Sequence, residues 1–174
     1  MRGRQCSSEQ IPAIKAKFKD YNSFADATLA DVYTKEDLAK ALRYQAWNFA
    51  SSYIENKGDE KFEVRNLPNE VQVSCINGIV AEDFNRDGHL DLLLAGNLYS
   101  SEVETTRNDA SYGHFLLGDG TGDFQPVPNA ESGLFLNYDT KDLATIKTSS
   151  GTVILVANNN DFLKAVKANY DVSQ

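Results

Sequence analysis

The stretch Asp83-Phe84-Asn85-Arg86-Asp87-Gly88-His89-Leu90-Asp91 places side-chain oxygens at its first, third, fifth and ninth positions and a glycine at its sixth. Crowding three carboxylates and an amide into nine residues constrains the chain to a tight, oxygen-lined loop, and whatever lies on either side must be joined by it. Gly88 permits the sharp turn that would aim the His89 carbonyl inward at the seventh position. An all-oxygen set suits a hard cation that takes six to eight ligands at about 2.3–2.6 Å. The pattern therefore predicts calcium, held by Asp83, Asn85, Asp87, the His89 carbonyl and Asp91, with water completing the shell. A metal-free hairpin turn is the alternative, since Asn and Asp also bond to their own backbone, although such a turn needs only one or two of them.

The flanks decide which kind of loop this is. A helix-loop-helix calcium hand requires a bidentate Glu at position 12, and that position is Leu94. The run Leu90-Asp91-Leu92-Leu93-Leu94-Ala95 closed by Gly96-Asn97 reads as a short buried strand, and Gly78-Ile79-Val80-Ala81-Glu82 before the loop also reads as a strand. The unit is thus strand, loop, strand. Two further segments repeat with one period. Gly118-Asp119-Gly120-Thr121-Gly122-Asp123-Phe124 echoes Asn56-Lys57-Gly58-Asp59-Glu60-Lys61-Phe62, with Phe62 and Phe124 separated by 62 positions. The same offset carries Leu94-Ala95-Gly96-Asn97 onto Val156-Ala157-Asn158-Asn159. A shared offset in two unrelated segments marks an internal repeat.

Together the acidic strand-loop-strand and the glycine-rich turn ending in Phe resemble the FG-GAP or VCBS repeat, the blade unit of integrin α-subunit propellers and of many bacterial surface proteins. The resemblance implies a mainly β chain forming a partial β-propeller. Residues 78–128 would be one complete four-stranded blade, 44–67 the last two strands of the blade before it, and 139–158 the first two of the next. Residues 1–43 would be a helical insertion or cap, leaving 44–174 for the blades. In the third copy the loop reads Asp142-Leu143-Ala144-Thr145-Ile146-Lys147-Thr148-Ser149-Ser150-Gly151, which lacks the ligands, so no second metal is expected. A closed propeller needs about four to eight blades, so the chain is expected to be part of something larger. The chain is similar to the C-terminal portion of long secreted or cell-surface bacterial proteins of this family. That implies an extracellular or surface location, and a role in structure, adhesion or the binding of a protein or glycan ligand. The alternative is the non-catalytic end of a secreted carbohydrate-active enzyme. Without ring closure the blades would leave open strand edges, which predicts edge-to-edge self-association or shielding by the N-terminal helices.

Charge narrows the partners. With 17 basic and 25 acidic residues the net charge is -8, so the basic footprint of nucleic-acid binding is missing, and acidity suits a cation binder. No run approaches the 18 or so apolar residues of a membrane span, and Met1-Arg2-Gly3-Arg4-Gln5 leads into no apolar signal core. Across 174 residues, 41% of them hydrophobic, there is enough apolar surface for a folded core. Cys6 and Cys75 allow one disulfide or none, and their isolation from the two histidines argues against zinc.

The N-terminal third has helical rather than strand periodicity. Ile11, Ile14 and Phe18 form one stripe; Ser23 with Asp26 and Thr34 with Asp37 are cap candidates for two further helices. Trp47 and Phe49 are expected in the core where helix gives way to strand. Residues 99–109 read as a solvated connector with an internal Arg107–Asp109 pair. No catalytic motif stands out: there is no Gly-x-Ser-x-Gly elbow, zinc helix or phosphate loop, and His89 and His114 have structural explanations as a backbone ligand and a strand start.

Overall fold

The computed structural model describes residues 3–103, 105–149 and 151–168 and forms two compact units, Met1–Trp47 and Asn48–Gln174. The first unit strings together five short helices: α1 (Arg4–Gln10), α2 (Ala13–Lys17), α3 (Tyr21–Ala25), α4 (Leu29–Val32) and α5 (Lys35–Lys40). Helices this short do not persist on propensity and depend on caps and packing. Ile14, Phe18, Phe24 and Val32 supply the packing, with the Phe18 and Phe24 rings edge to face at 5.5 Å. Thr34 caps α5 as its spacing predicts, accepting from the Asp37 amide at 3.1 Å. The other two expected helices differ. The Ile11 stripe is divided because Pro12 precedes α2 and cannot donate to the turn before it, which leaves Ile11 41% exposed. Ser23 lies inside α3, whose cap is Asp20, accepting from the Ser23 amide at 2.8 Å. Thr28 and Asp31 then form a capping box for α4.

The second unit is three antiparallel sheets, so the described chain is mainly β. Strands β1 (Ser52–Gly58) and β2 (Lys61–Asn66) pair as a hairpin; β3 (Gly78–Glu82), β4 (Asp91–Ala95), β5 (His114–Gly118) and β6 (Phe124–Val127) form a four-stranded meander; β7 (Thr140–Thr148), β8 (Gly151–Asn158) and β9 (Lys164–Lys167) form the third sheet. The unbroken apolar run of β4 follows from its position between two cores. Leu93 and Ala95 pack on one face with Val80, Phe84, Leu136, Leu143 and Val156, while Leu92 and Leu94 face the other way toward Val71, Leu116 and Phe124. Both faces of β4 are therefore covered, and alternation is lost along it.

Three expectations are corrected here. Trp47 and Phe49 are 84% and 89% exposed: the β1–β2 ladder begins only at the Ser52–Asn66 pair, so residues 44–51 have no strand opposite them. Residues 142–148 of the segment read as a degenerate copy of the acidic loop are strand, because β7 continues to Thr148 and pairs in register with β8 down to Thr148–Gly151. The third sheet has three strands where two were expected, since β9 adds to β8 through Val153–Lys167 and Val156–Lys164.

Polar side chains lock the second and third sheets together. Asn97 is fully buried; its amide nitrogen donates to the Ser111 and Tyr138 carbonyls at 2.9 and 3.0 Å, and its oxygen accepts from Ser74 and from the Ser111 amide. Asn77 donates to the Thr140 carbonyl at 2.8 Å. Asp139, 3% exposed, is paired with Lys141 at 2.5 Å and accepts from the Asn159 amide at 3.0 Å. Burial opposes its ionisation, but the bonds from Lys141 and Asn159 win and hold its carboxyl below the ordinary value.

Candidate metal centre

The acidic loop occupies residues 83–90 between β3 and β4, which pair directly from Glu82–Asp91 to Gly78–Ala95. It has no helix on either side. Its turn is built from left-handed backbone at Arg86 (φ 63°) and Gly88 (φ 93°), a conformation in which glycine carries no Cβ penalty. The side chains wrap the backbone they belong to. Asp83 accepts from the Asp87 and Gly88 amides at 3.1 and 3.0 Å, the Asn85 oxygen accepts from Asp87 at 3.0 Å, and Asp87 accepts from the His89 amide at 2.8 Å and from the Asn85 side chain at 2.8 Å. The His89 amide first, and then Asn85, hold the Asp87 carboxyl below its ordinary value, which favours its ionised form.

Asp91 plays a different part from the other expected ligands. It is fully buried. Its Oδ2 accepts from Phe84 at 2.9 Å and Asn85 at 3.3 Å, closing the loop, while its Oδ1 accepts from Gly118 at 3.0 Å at the far end of β5. That bond draws the loop onto the β5–β6 turn. The approach is so close that a Cβ on Gly118 would run into the Leu90 carbonyl oxygen, and one on Gly120 into the His89 ring.

All five expected residues thus lie in one loop, with Asp83 half-buried, Asn85, Asp87 and His89 exposed, and Asp91 at its base. Among the described residues no three acidic, histidine or cysteine side chains are drawn together tightly enough to hold an ion as they stand. The donor set itself fits a hard cation. It is all oxygen, and each carboxylate offers about four acceptor positions, of which backbone and side-chain bonds together occupy two or three.

The neighbouring turn, residues 119–123, is also tied by its own acid. Asp119 accepts from the Thr121 amide and hydroxyl at 2.8 Å, which hold its carboxyl below the ordinary value. Arg65 on β2 donates to the Thr121 carbonyl at 2.8 Å and pairs with Glu63 and Glu55 at 3.0 and 3.3 Å. The loop, the turn and the β1–β2 hairpin are linked in series.

Asn97, Asp139 and Arg65 were not singled out by sequence reasoning. A signal existed for one of them, because the 62-residue offset carries Asn97 onto Asn159, and both prove to be amides that bind across sheet ends. The expected Arg107–Asp109 pair forms at 2.8 Å. Cys6 and Cys75 are both free thiols. His114 begins β5, and its Nε2 stands 3.1 Å from the hydroxyl of Ser111, which is 2% exposed. Burial lowers the His114 imidazole below its ordinary value. No described helix is long and apolar enough to cross a membrane. Comparison with protein-family models, with curated proteins and with solved structures finds no match to this chain.

Proposed function

We propose that this chain is a non-catalytic, calcium-stabilised segment of a β-propeller of the FG-GAP or VCBS kind, belonging to a secreted or cell-surface protein and serving structure, adhesion or ligand binding. One observation carries the reading: a nine-residue loop with oxygen at positions 1, 3, 5 and 9 joins two adjacent strands and is anchored at its base by the buried Asp91. The meander β3–β6 plays the part of one blade, and β1–β2 and β7–β9 the parts of incomplete neighbours. Support for a repeat comes from the 62-residue offset, which relates the β1–β2 turn to the β5–β6 turn and the end of β4 to the end of β8. Sheets short of a full ring leave open edges, so self-association of the chain belongs to the same reading.

Calcium supplies charge compensation there: with the ion bound, Asp83 and Asp87 are drawn inward without mutual repulsion and the β3–β4 connection becomes rigid. Calorimetric titration of the chelator-stripped chain with calcium, with magnesium as control, tests the proposal. Saturable binding of about one ion per chain, with magnesium much weaker, is expected. Absence of any saturable heat with calcium overturns it.

A further inference from the structure

At the end of the meander away from the acidic loop, two connections meet. Residues 96–113 leave β4 at Ala95 and enter β5 at His114, and residues 128–139 leave β6 at Val127 and enter β7 at Thr140. Because β3 pairs with β4 from Glu82–Asp91 at the loop to Gly78–Ala95 at this end, and Val127 pairs with Phe115 near the start of β5, both connections lie at the Gly78 end. They are joined by the Leu136 amide donating to the Tyr112 carbonyl at 2.7 Å and by Asn129 donating to the Gly113 and Leu134 carbonyls at 3.0 and 2.8 Å.

Each connection turns one aromatic ring outward between two buried neighbours. Phe135 is 59% exposed while Leu134 and Leu136 on either side are 6% and 2%. Tyr112 is 48% exposed between the buried Ser111 and Gly113, with the Ser111 hydroxyl accepting from the Gly113 amide at 3.1 Å. The two rings stack on each other, centroids 5.0 Å apart and 22° from parallel. This is a preformed aromatic platform whose backbone cannot turn the rings inward without unseating Leu134, Leu136 or Ser111. Binding on it would therefore carry little ordering cost.

The platform has polar tips. Asn137 follows Phe135 by two residues in a stretch whose burial alternates, and it too is exposed. Its side-chain amide and the Tyr112 hydroxyl hydrogen-bond to no described residue, whereas the Asn137 carbonyl is already taken by the Tyr99 hydroxyl. An aromatic surface edged by a free hydroxyl and a free amide matches a pyranose ring, which offers an apolar C–H face and equatorial hydroxyls that both donate and accept. Charge favours a neutral sugar over an acidic one. The cations around the platform are engaged: Arg107 is paired with Asp109 at 2.8 Å and lies over the Tyr99 ring at 3.7 Å, Lys141 is paired with Asp139 at 2.5 Å, and Lys164 is paired with Asp161 at 3.7 Å and lies over the Tyr138 ring at 5.2 Å, while the chain carries a net charge of -8.

We propose that Tyr112, Phe135 and Asn137 form a binding platform for a neutral glycan. The inference stands on different residues from the calcium loop and does not depend on it. The test is affinity electrophoresis of the whole chain, in calcium, through gels containing laminarin, mixed-linkage β-glucan, arabinoxylan, galactomannan or soluble starch, with alginate as the acidic comparison. At least one neutral polysaccharide is expected to retard the protein, at low and high salt alike. Tyr112→Ala and Phe135→Ala each weaken that retardation by about tenfold or more in Kd, and Phe135→Trp preserves it. Should an alanine variant lose its melting transition, Tyr112→Phe still reads the site, because removing the hydroxyl alone has to weaken binding. Retardation by none of the neutral polysaccharides, by alginate alone, or undiminished in both alanine variants overturns the proposal. A chain that binds calcium in the titration yet ignores every neutral polysaccharide would lose this platform and keep its metal loop.

Discussion

Asp91 and Asp87 belong to the same oxygen pattern, yet they answer to different forces. Asp91 serves three backbone N–H groups, and two of them, on Phe84 and Gly118, are buried. Removing the carboxylate leaves those donors without a partner in a dry environment, so Asp91→Ala is expected to cost about 2–4 kcal/mol of unfolding free energy with or without calcium. Asp87 is exposed, and its bonds to His89 and Asn85 can be replaced by water. Its substitution by Ala is expected to change stability little in chelator and to reduce the stabilisation that the proposed calcium site would give in saturating calcium, because a ligand that binds only the folded state stabilises by mass action. Urea unfolding of both variants in chelator and in calcium separates the two roles. Equal losses for both variants in chelator, or an undiminished calcium effect in Asp87→Ala, would count against the division.

At the level of elements, the hairpin β1–β2 is the least secured part of the second unit. Ile54, Phe62 and Val64 on its strands are 61%, 62% and 54% exposed, so one of its faces has no cover. Its strands are attached to the rest through Arg65, to the Thr121 carbonyl and the Asp123 carboxylate, and through the Tyr53 ring, which meets Phe124 edge to face at 5.6 Å, while Gln72 holds the hairpin's base by bonds to Ser51 and Leu67. Arg65→Met keeps the apolar stem and deletes the fork. Amide exchange across 52–66 should then accelerate severalfold while β3–β6 keeps its protection, since removing a local tether opens only the segment it holds. Uniform acceleration through both sheets would show that the hairpin and the meander open as one. The same contrast between local and distant partners explains what the sequence made legible. The acidic loop and strands β3, β4 and β5 were readable because spacing and apolar runs are local signals, and the Thr34 cap likewise. The bond from Asp91 to Gly118 was not, because 27 residues separate the partners and only sheet register brings them together. Asn97 resembles any turn asparagine until the Ser111 and Tyr138 carbonyls arrive from distant segments. β9 went unread because four residues with two lysines, Lys164-Ala165-Val166-Lys167, carry almost no periodic signal.

Across the whole molecule, the helical unit and the β unit are joined by a stretch with neither helix nor strand. From Ala41 to Ala50 no residue lies in a regular element, and Leu42, Tyr44, Trp47 and Phe49 are 79–89% exposed. Side chains of that kind in a solvent-facing segment without regular structure are the preferred substrate of a chymotrypsin-like protease, while Phe162, 82% exposed, sits in the short β8–β9 connection, where Asn158 donates to its carbonyl at 3.2 Å. Limited digestion is therefore expected to cut first after Tyr44, Trp47 or Phe49 and to release a β fragment beginning near Asn48. Each unit has its own apolar cluster, Ile14 to Val32 in the first and the two faces of the meander in the second, so the fragment should keep a cooperative melting transition. It should also keep the calcium titration of the intact chain, since every oxygen of the loop and its anchor at Gly118 lie within the second unit. A fragment that unfolds on release, or first cuts inside the β-sheets, would mean that the helices are needed to complete the β core and that the division at Trp47 is not one between independent folding units.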